Sequence, residues 1–256
     1  MTEHRIALVT GANKGIGYEV AAGLAAGGMT VLLASRDPER GAKAAADLGG
    51  RVEPITLDVT DDASVAAAAR LVADRYGVLD VLVNNAGISG GHAPARPGDA
   101  DVAALRDVFE TNVFGVVRVT EALLPLLRRS SAGRIVNVGS GVGSLTRMSD
   151  PADYLTRLAP NVGYAPSKTA LNALTVQYAK ELRPHGVLVN TADPGPCATD
   201  FAAGVTQHLA GGSAAAPHPG FSRTAADGAT IVLRLATLDD DGPTGGYFNE
   251  AGPVPW

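Results

Sequence analysis

The chain has 256 residues, 46% of them hydrophobic and 18% charged, with a formal net charge of −5 at pH 7. That length and apolar content suit one α/β domain spanning residues 1–256 around a sizeable core. The acidic balance argues against a nucleic-acid surface, and no segment reaches the ~18 uninterrupted apolar residues of a membrane span.

Short β-branched runs alternate with helical patterns along the chain. RIALVT, a first strand at residues 5–10, runs into TGANKGIG, where Gly11, Gly15 and Gly17 form a GxxxGxG turn that opens a helix. Glycines at a strand-to-helix junction let the backbone approach a pyrophosphate, and the helix amino terminus offers amide donors and a favourable dipole. The turn residues expected against a cofactor are Gly11, Asn13, Lys14, Gly15, Ile16 and Gly17; a purely structural turn is the alternative. The second strand, TVLLAS, ends in ASRD. Ser35 stands where an acidic group would hold the ribose hydroxyls of NAD, Arg36 follows it, and Lys14 lies in the glycine turn. Two cations suit a 2′-phosphate, so NADPH is expected over NADH, although Asp37 cuts the other way and Arg36 can equally be a solvated residue ahead of a helix.

The third strand, RVEPITL, closes near Asp58 and Val59, which either face the adenine or cap the next helix. Asp61 and Asp62 offer caps for a helix carrying Val65, Leu71 and Val72. LDVLVN leads into the NNAG run, where Asn85, Ala86 and Gly87 are small enough for a cofactor to lie against the sheet edge, or simply make a turn. The helix after Asp101 runs through Leu105, Val108, Val113 and Val117 and holds Asn112, a poor helix former whose place there marks local distortion. RIVNVG ends at Ser140, a residue that reads alone as one more turn position. The sixth strand, GVLVNTA, precedes Pro194, Gly195 and Thr199, and GGYFN is the seventh.

Near-continuous apolar strands imply a sheet covered on both faces, hence a Rossmann-type doubly wound parallel sheet of about seven strands with helices on both sides. Residues 141–163 and 200–222 break the rhythm with Gly, Pro, Ser and Asp just beyond predicted strand ends, where such sheets bind ligands. They are expected to form a substrate wall and a lid, carrying Leu145, Met148, Tyr154, Phe201 and Phe221; for the second stretch a disordered loop is the alternative.

In GYAPSKTALN, Tyr164 and Lys168 lie four apart and so share one helix face. A phenol beside a fixed ammonium is expected to have a lowered pKa and to serve as a proton donor or acceptor near neutral pH.

Taken in order, TGANKGIG, NNAG, Asn112 in ETNVFG, Ser140 after RIVNVG, YAPSK and DPGPCAT make the chain resemble the short-chain dehydrogenase/reductase family over nearly its whole length. The details NKGIG and ASRDPERG, the added segment between Ser140 and Tyr164, and the closing GYFNEAGPVPW look most like the carbonyl reductase branch. The resemblance implies NADPH-dependent reduction of a ketone or aldehyde, with Tyr164 as general acid, Ser140 holding the substrate oxygen and Lys168 binding the nicotinamide ribose while lowering the pKa of Tyr164. Asn112 would hold a water linking Lys168 to solvent, and Pro194, Gly195 and Thr199 would meet the nicotinamide, with Thr199 as a helix cap the rival reading.

An alcohol dehydrogenase working oxidatively uses the same residues, whereas a dinucleotide-binding sensor could dispense with Tyr164 and Lys168. The substrate expected is a small hydrophobic carbonyl compound or alcohol. The segment before Tyr164 would cover helix surfaces that other members use for pairing, which leaves monomer and homo-oligomer both open. His92, His185, His208 and His218 lack partners at ligand spacing, so no metal is expected. Cys197 leaves no intramolecular disulfide and reads as a small buried residue, Trp256 reads as a packing anchor, and the opening MTEHRIALVT lacks a leader-like apolar run, so a cytoplasmic location is expected.

Overall fold

The computed structural model describes residues 5–90, 93, 95–199, 201 and 223–256. Among them eight strands form one sheet: β1 (Ile6–Val9), β2 (Thr30–Ser35), β3 (Val52–Thr56), β4 (Val81–Asn84), β5 (Arg134–Val138), β6 (Leu188–Ala192), β7 (Tyr247–Asn249) and β8 (Gly252–Pro253). Their order is β3-β2-β1-β4-β5-β6-β7-β8, parallel throughout except for the β7–β8 pair. The expected seven strands are present. The eighth is a short hairpin return, held where the Asn249 side chain accepts from the amides of Ala251 and Gly252.

Alternation along each strand explains the layers. Leu8, Leu32, Leu82, Ile135 and Val189 face one cluster, which is filled by α3 (Asp62–Arg75), α5 (Gly115–Leu127) and α7 (Tyr164–Leu182) through Val72, Val119, Leu123 and Leu182. Their neighbours Ala7, Val9, Leu33, Val83 and Val136 face the other, filled by α1 (Gly15–Ala26), α2 (Pro38–Leu48) and α8 (Ala225–Ala236) through Val20, Leu24, Ala44, Ile231 and Leu235. Each fully buried aliphatic side chain contributes about 1.5–3 kcal/mol, so the double-sided sheet is what the apolar runs stabilise.

Local chemistry sets the helix starts. Asp37, Asp61 and Asp101 each accept two backbone amides at the starts of α2, α3 and α4 (Val102–Phe109), and Thr224 forms a capping box with Asp227 on α8. Asp61 is thus the cap and Asp62 the first helical residue of α3. The helix expected after Asp101 is interrupted: a π turn, Glu110–Phe114, separates α4 from α5 and carries Asn112, so the distortion anticipated from that asparagine is a widened turn.

The order in which successive strands are added to the sheet reverses between the parallel neighbours β1 and β4, which opens a crevice at the strands' carboxyl ends. Beneath it a buried polar chain ties three strands and two helices together. Asn84 donates to Asn137 and Thr120, Asn137 donates to Thr175, and the Thr175 and Thr191 hydroxyls lie 2.8 Å apart. Each of these polar groups has a partner, as burial requires.

Candidate active site

A cleft of about 1170 Å³ runs along the carboxyl ends of the strands and is lined at one end by the glycine turn and at the other by Ser140, Tyr164 and Lys168. Gly11 and Gly15 both have φ 61°, in the region that favours glycine. A Cβ on Gly11 would lie 2.9 Å from the Ala86 Cα, and one on Gly17 2.4 Å from the side-chain nitrogen Nδ2 of Asn85. The turn and the NNAG run are therefore one fitted unit. Thr10 Oγ1 accepts the amides of Asn85 (2.9 Å) and Ala86 (3.0 Å), while Asn85 Nδ2 donates to the carbonyls of Thr10 (2.9 Å) and Gly11 (3.1 Å). The turn then opens into α1, whose start has no side-chain cap.

At the end of β2, Lys14, Arg36 and Arg40 all line the cleft. The Asp37 carboxylate accepts from the amides of Glu39 and Arg40, both at 3.0 Å, and pairs with Arg40 Nε at 3.1 Å. The buried Ser35 hydroxyl donates to the Asp37 carbonyl and accepts its amide. Asp58 and Val59 line the same stretch, yet the Asp58 carboxylate already accepts from the amide and hydroxyl of Thr60, and the Val59 carbonyl accepts from Arg118 at 2.7 Å.

The catalytic end is organised by the amino terminus of α7. Gly163 offers no side chain, and Asn161 substitutes for a cap by accepting the amides of Gly163 (2.9 Å) and Tyr164 (2.7 Å). Pro166 sits within the first turn, where a missing N–H costs nothing. One turn on, Lys168 is 5% exposed; its Nζ lies 5.6 Å from the Tyr164 ring centroid and donates to the Val138 carbonyl at 2.7 Å. The 3₁₀ turn Gly141–Gly143 after Ser140 seats directly on α7, because a Cβ on Gly143 would meet the Lys168 backbone at 3.0 Å.

Burial pushes the Tyr164 phenol well above its ordinary value, against a downward pull from its hydrogen bond with Ser140 and with a further upward push from Asp193. Burial also lowers Lys168, from 10.5 to about 8. The expected lowering of the tyrosine by the lysine is therefore corrected: the ammonium is directed at Val138, and desolvation of the phenol is the larger effect. Asn112 sits in the buried π turn with its amide group fully engaged, donating to the Ile88 carbonyl (2.8 Å) and Ser167 Oγ (3.0 Å) and accepting the Ile88 amide (2.8 Å).

Residues 141–163 form the Gly141–Gly143 turn, the short helix α6 (Leu145–Ser149) and the turn Tyr154–Arg157. Met148, Tyr154 and Phe201 line the cleft, and the Phe201 ring lies 5.4 Å from that of Tyr164. Leu145, expected in the pocket, is instead 66% exposed and is not among the cleft residues, because it begins α6 on its outer side. Residue 200, residues 202–222, including Phe221, His208 and His218, and also His92 fall outside the described residues. Among the described residues no three metal-ligating side chains cluster, and no helix is long and apolar enough to cross a membrane. Pro194, Gly195 and Thr199 line the cleft after β6, with the Thr199 methyl 3.7 Å from a Cβ built on Gly15. Cys197 is buried against Gly228 of α8, and burial pushes its thiol up.

The family profile described as short chain dehydrogenase matches residues 5–210. The chain belongs to the short-chain dehydrogenase/reductase family. It is 31% identical to (+)-neomenthol dehydrogenase of Capsicum annuum, covering 96% of both chains. Among solved structures it superposes on NADPH-bound carbonyl reductase from chicken fatty liver with a TM-score of 0.82 at 28% identity, covering 99% of each chain. On 3-ketoacyl-(acyl-carrier-protein) reductase of Brucella melitensis in complex with NADH the TM-score is 0.79 at 25% identity, covering 98% of each. Both structures contain a nicotinamide dinucleotide, and this chain is an oxidoreductase of the same family.

Two cleft residues, Arg40 and Asp193, and Arg147, which approaches Asp193, were missed in the sequence. Arg40 was hidden within ASRDPERG, although its place three residues beyond Asp37 in a helix would bring the two together. Asp193 is a buried carboxylate: Oδ1 accepts the Gly195 amide at 3.0 Å, and Oδ2 lies 3.8 Å from Arg147. Burial raises its pKa. Only its position directly after an apolar strand hinted at this. Arg147 in turn bonds Asp153 at 2.7 Å, tying α6 to the start of the turn Tyr154–Arg157.

Proposed function

We propose that the protein reduces a ketone or aldehyde to an alcohol with NADPH as the hydride source. The observation that carries this reading is the meeting of Ser140, Tyr164 and Lys168 on the same cleft as the glycine turn. A dinucleotide fits the residues present: Gly11 and Gly15 leave room for close backbone approach, and the uncapped start of α1 has amides suited to a pyrophosphate. When bound, the nicotinamide supplies the hydride; the chain supplies position, charge and the proton.

Ser140 donates its hydroxyl to the substrate oxygen, and Tyr164 protonates that oxygen as negative charge develops there. The phenol is protonated at neutral pH, the form an acid must have, and burial raises its pKa further above the ordinary value. Lys168 holds the ribose, Thr199 the carboxamide, and Pro194 and Gly195 shape the wall behind it. Asn112 fixes Ile88 and, through Ser167, the start of α7; with both amide hydrogens engaged, a water there would rest on one of its oxygens. Asn85, Ala86 and Gly87 form the floor, with Asp58 and Val59 towards the adenine.

NADPH is favoured because Arg36, Arg40 and Lys14 line the ribose end while the Asp37 carboxylate is engaged in capping α2. The NADPH-bound carbonyl reductase supports this choice, and the NADH complex of the acyl-carrier-protein reductase sets the competing one. The apolar lining residues Met148, Leu155, Leu158 and Phe201 suit a hydrophobic carbonyl. Alcohol oxidation, the direction in the name of the Capsicum relative, uses the same groups in reverse. The deciding experiment is NADPH consumption against a panel of aldehydes and ketones, with Tyr164→Phe as control. Turnover should vanish in the variant while NADPH still binds; a variant that keeps its rate refutes the proton-donor role.

A further inference from the structure

Ser140 is held from a side of the molecule remote from the cofactor turn. Its carbonyl oxygen accepts two donors, the Gly143 amide at 2.8 Å and the hydroxyl of Tyr247 on β7 at 2.6 Å. Tyr247 is only 2% exposed, and burial pushes its phenol up, so it remains a donor. The indole of Trp256 stacks on its ring, with centroids 5.5 Å apart and planes 19° from parallel. The residues around that indole reach back to the substrate wall. Ser144 donates its hydroxyl to the Pro255 carbonyl at 2.6 Å while accepting the Arg147 amide at 3.1 Å, and the Thr146 amide donates to the Trp256 main-chain oxygen at 2.8 Å. Residues 140–146 are thus pinned at three points by β7 and the segment that follows β8.

We propose that Tyr247 and Trp256 form a clamp that sets the position of Ser140 and of the α6 wall, making both positioning residues for the reaction. The Ser140 hydroxyl must meet an oxygen that becomes charged only as the reaction proceeds, so a small displacement of its backbone weakens that contact more than it weakens ground-state binding. The stretch after Ser140 contains Gly141 and Gly143, whose backbones are intrinsically loose. A hydroxyl on the Ser140 carbonyl and a stacked indole behind it remove that freedom without touching the cleft: neither Tyr247 nor Trp256 is among its lining residues. Phe248, the neighbour of Tyr247 on β7, packs instead with the opposite cluster, so the register of this strand is what aims the phenol at Ser140.

This inference rests on the reductase reading, and its test separates the two. Tyr247→Phe, Trp256→Ala and Trp256→Phe are compared with the parent protein using NADPH with 4-nitrobenzaldehyde and acetophenone, alongside NADPH affinity from fluorescence titration. Tyr247→Phe and Trp256→Ala should each lower kcat by about 10-fold, leave NADPH affinity essentially unchanged, and be rescued at position 256 by phenylalanine, which keeps a stacking ring. An unchanged kcat, or NADPH affinity falling in step with kcat, overturns the clamp. Hydrogen exchange gives a second, activity-independent readout: the Gly143 and Ser144 amides should exchange faster in Tyr247→Phe, and equal rates overturn the proposal. If the parent binds NADPH but reduces neither probe, the reductase reading loses its support there, and the exchange comparison alone decides the clamp.

Discussion

The ammonium of Lys168 donates to the carbonyl of Val138 at 2.7 Å, which binds helix α7 to the end of β5 two residues before Ser140. That contact comes with a burial cost, since the charged form is desolvated and its pKa falls from 10.5 to about 8. Below about pH 8 the lysine is protonated in both folded and unfolded chains, and the cost is fully present. Between about 8 and 10.5 the unfolded chain keeps a proton that the folded one has released, so stability rises with pH. Relative to Lys168→Met, which lacks the titrating group, the parent should therefore gain up to about 3 kcal/mol of stability between pH 7 and pH 10. Urea unfolding at both pH values checks this; a gap that is constant with pH assigns the effect to packing.

Activity should follow the same titration with the opposite sense. Burial raises the Tyr164 pKa above the ordinary phenol value and lowers that of Lys168, so the first of the two to titrate on the alkaline side is Lys168. The kcat/KM for carbonyl reduction should be level up to about pH 7 and decline above about 8 as the ammonium is lost. Lys168→Arg, whose guanidinium holds its charge, should be slower throughout yet lack that alkaline decline. A parallel decline in both proteins would place the titration on another group.

The sheet and its double-sided core were legible because apolar runs such as RIALVT and TVLLAS have no polar face to present to water. The same holds for the helix starts at Asp61 and Asp101, where the capping chemistry is local. What stayed hidden depends on distance through space. Nothing in GYFN announces that Tyr247 reaches the carbonyl of Ser140, 107 residues away in sequence. Likewise, a helical spacing placed Lys168 beside Tyr164, but only the fold shows that the ammonium points at Val138 and that burial controls both pKa values. Leu145 was misplaced for a related reason, since composition alone does not say which side of a five-residue helix meets the cleft.

At the ribose end, Asp37 caps α2 and pairs with Arg40, and Arg36 and Lys14 line the same stretch of the cleft. Arg36→Asp should raise the KM for NADPH by roughly 10- to 100-fold, the scale of one or two charge-assisted hydrogen bonds, and change the KM for NADH little. Steady-state kinetics with both cofactors measures it. Equal effects on the two would remove the 2′-phosphate assignment and leave Arg36 as a solvated residue ahead of α2.

Gly17→Ala probes the fit between the glycine turn and the NNAG run. The added methyl would sit 2.4 Å from Asn85 Nδ2 and 2.8 Å from the Gly11 carbonyl, so Asn85 must give up its bonds to Thr10 and Gly11 or α1 must move. Either response costs about 1–3 kcal/mol, because the asparagine is half-buried and the helix is packed against α8. The turn would then lose the shape that Gly11 and Gly15 give it, and NADPH affinity should fall together with the melting temperature. Asn85→Ala with Gly17→Ala should recover packing but not the hydrogen bonds, so the double variant is expected to be more stable than Gly17→Ala while still binding NADPH weakly. Calorimetry for stability and fluorescence titration for NADPH separate the two effects. A single variant that melts and binds like the parent would show that the turn yields more readily than its contacts imply.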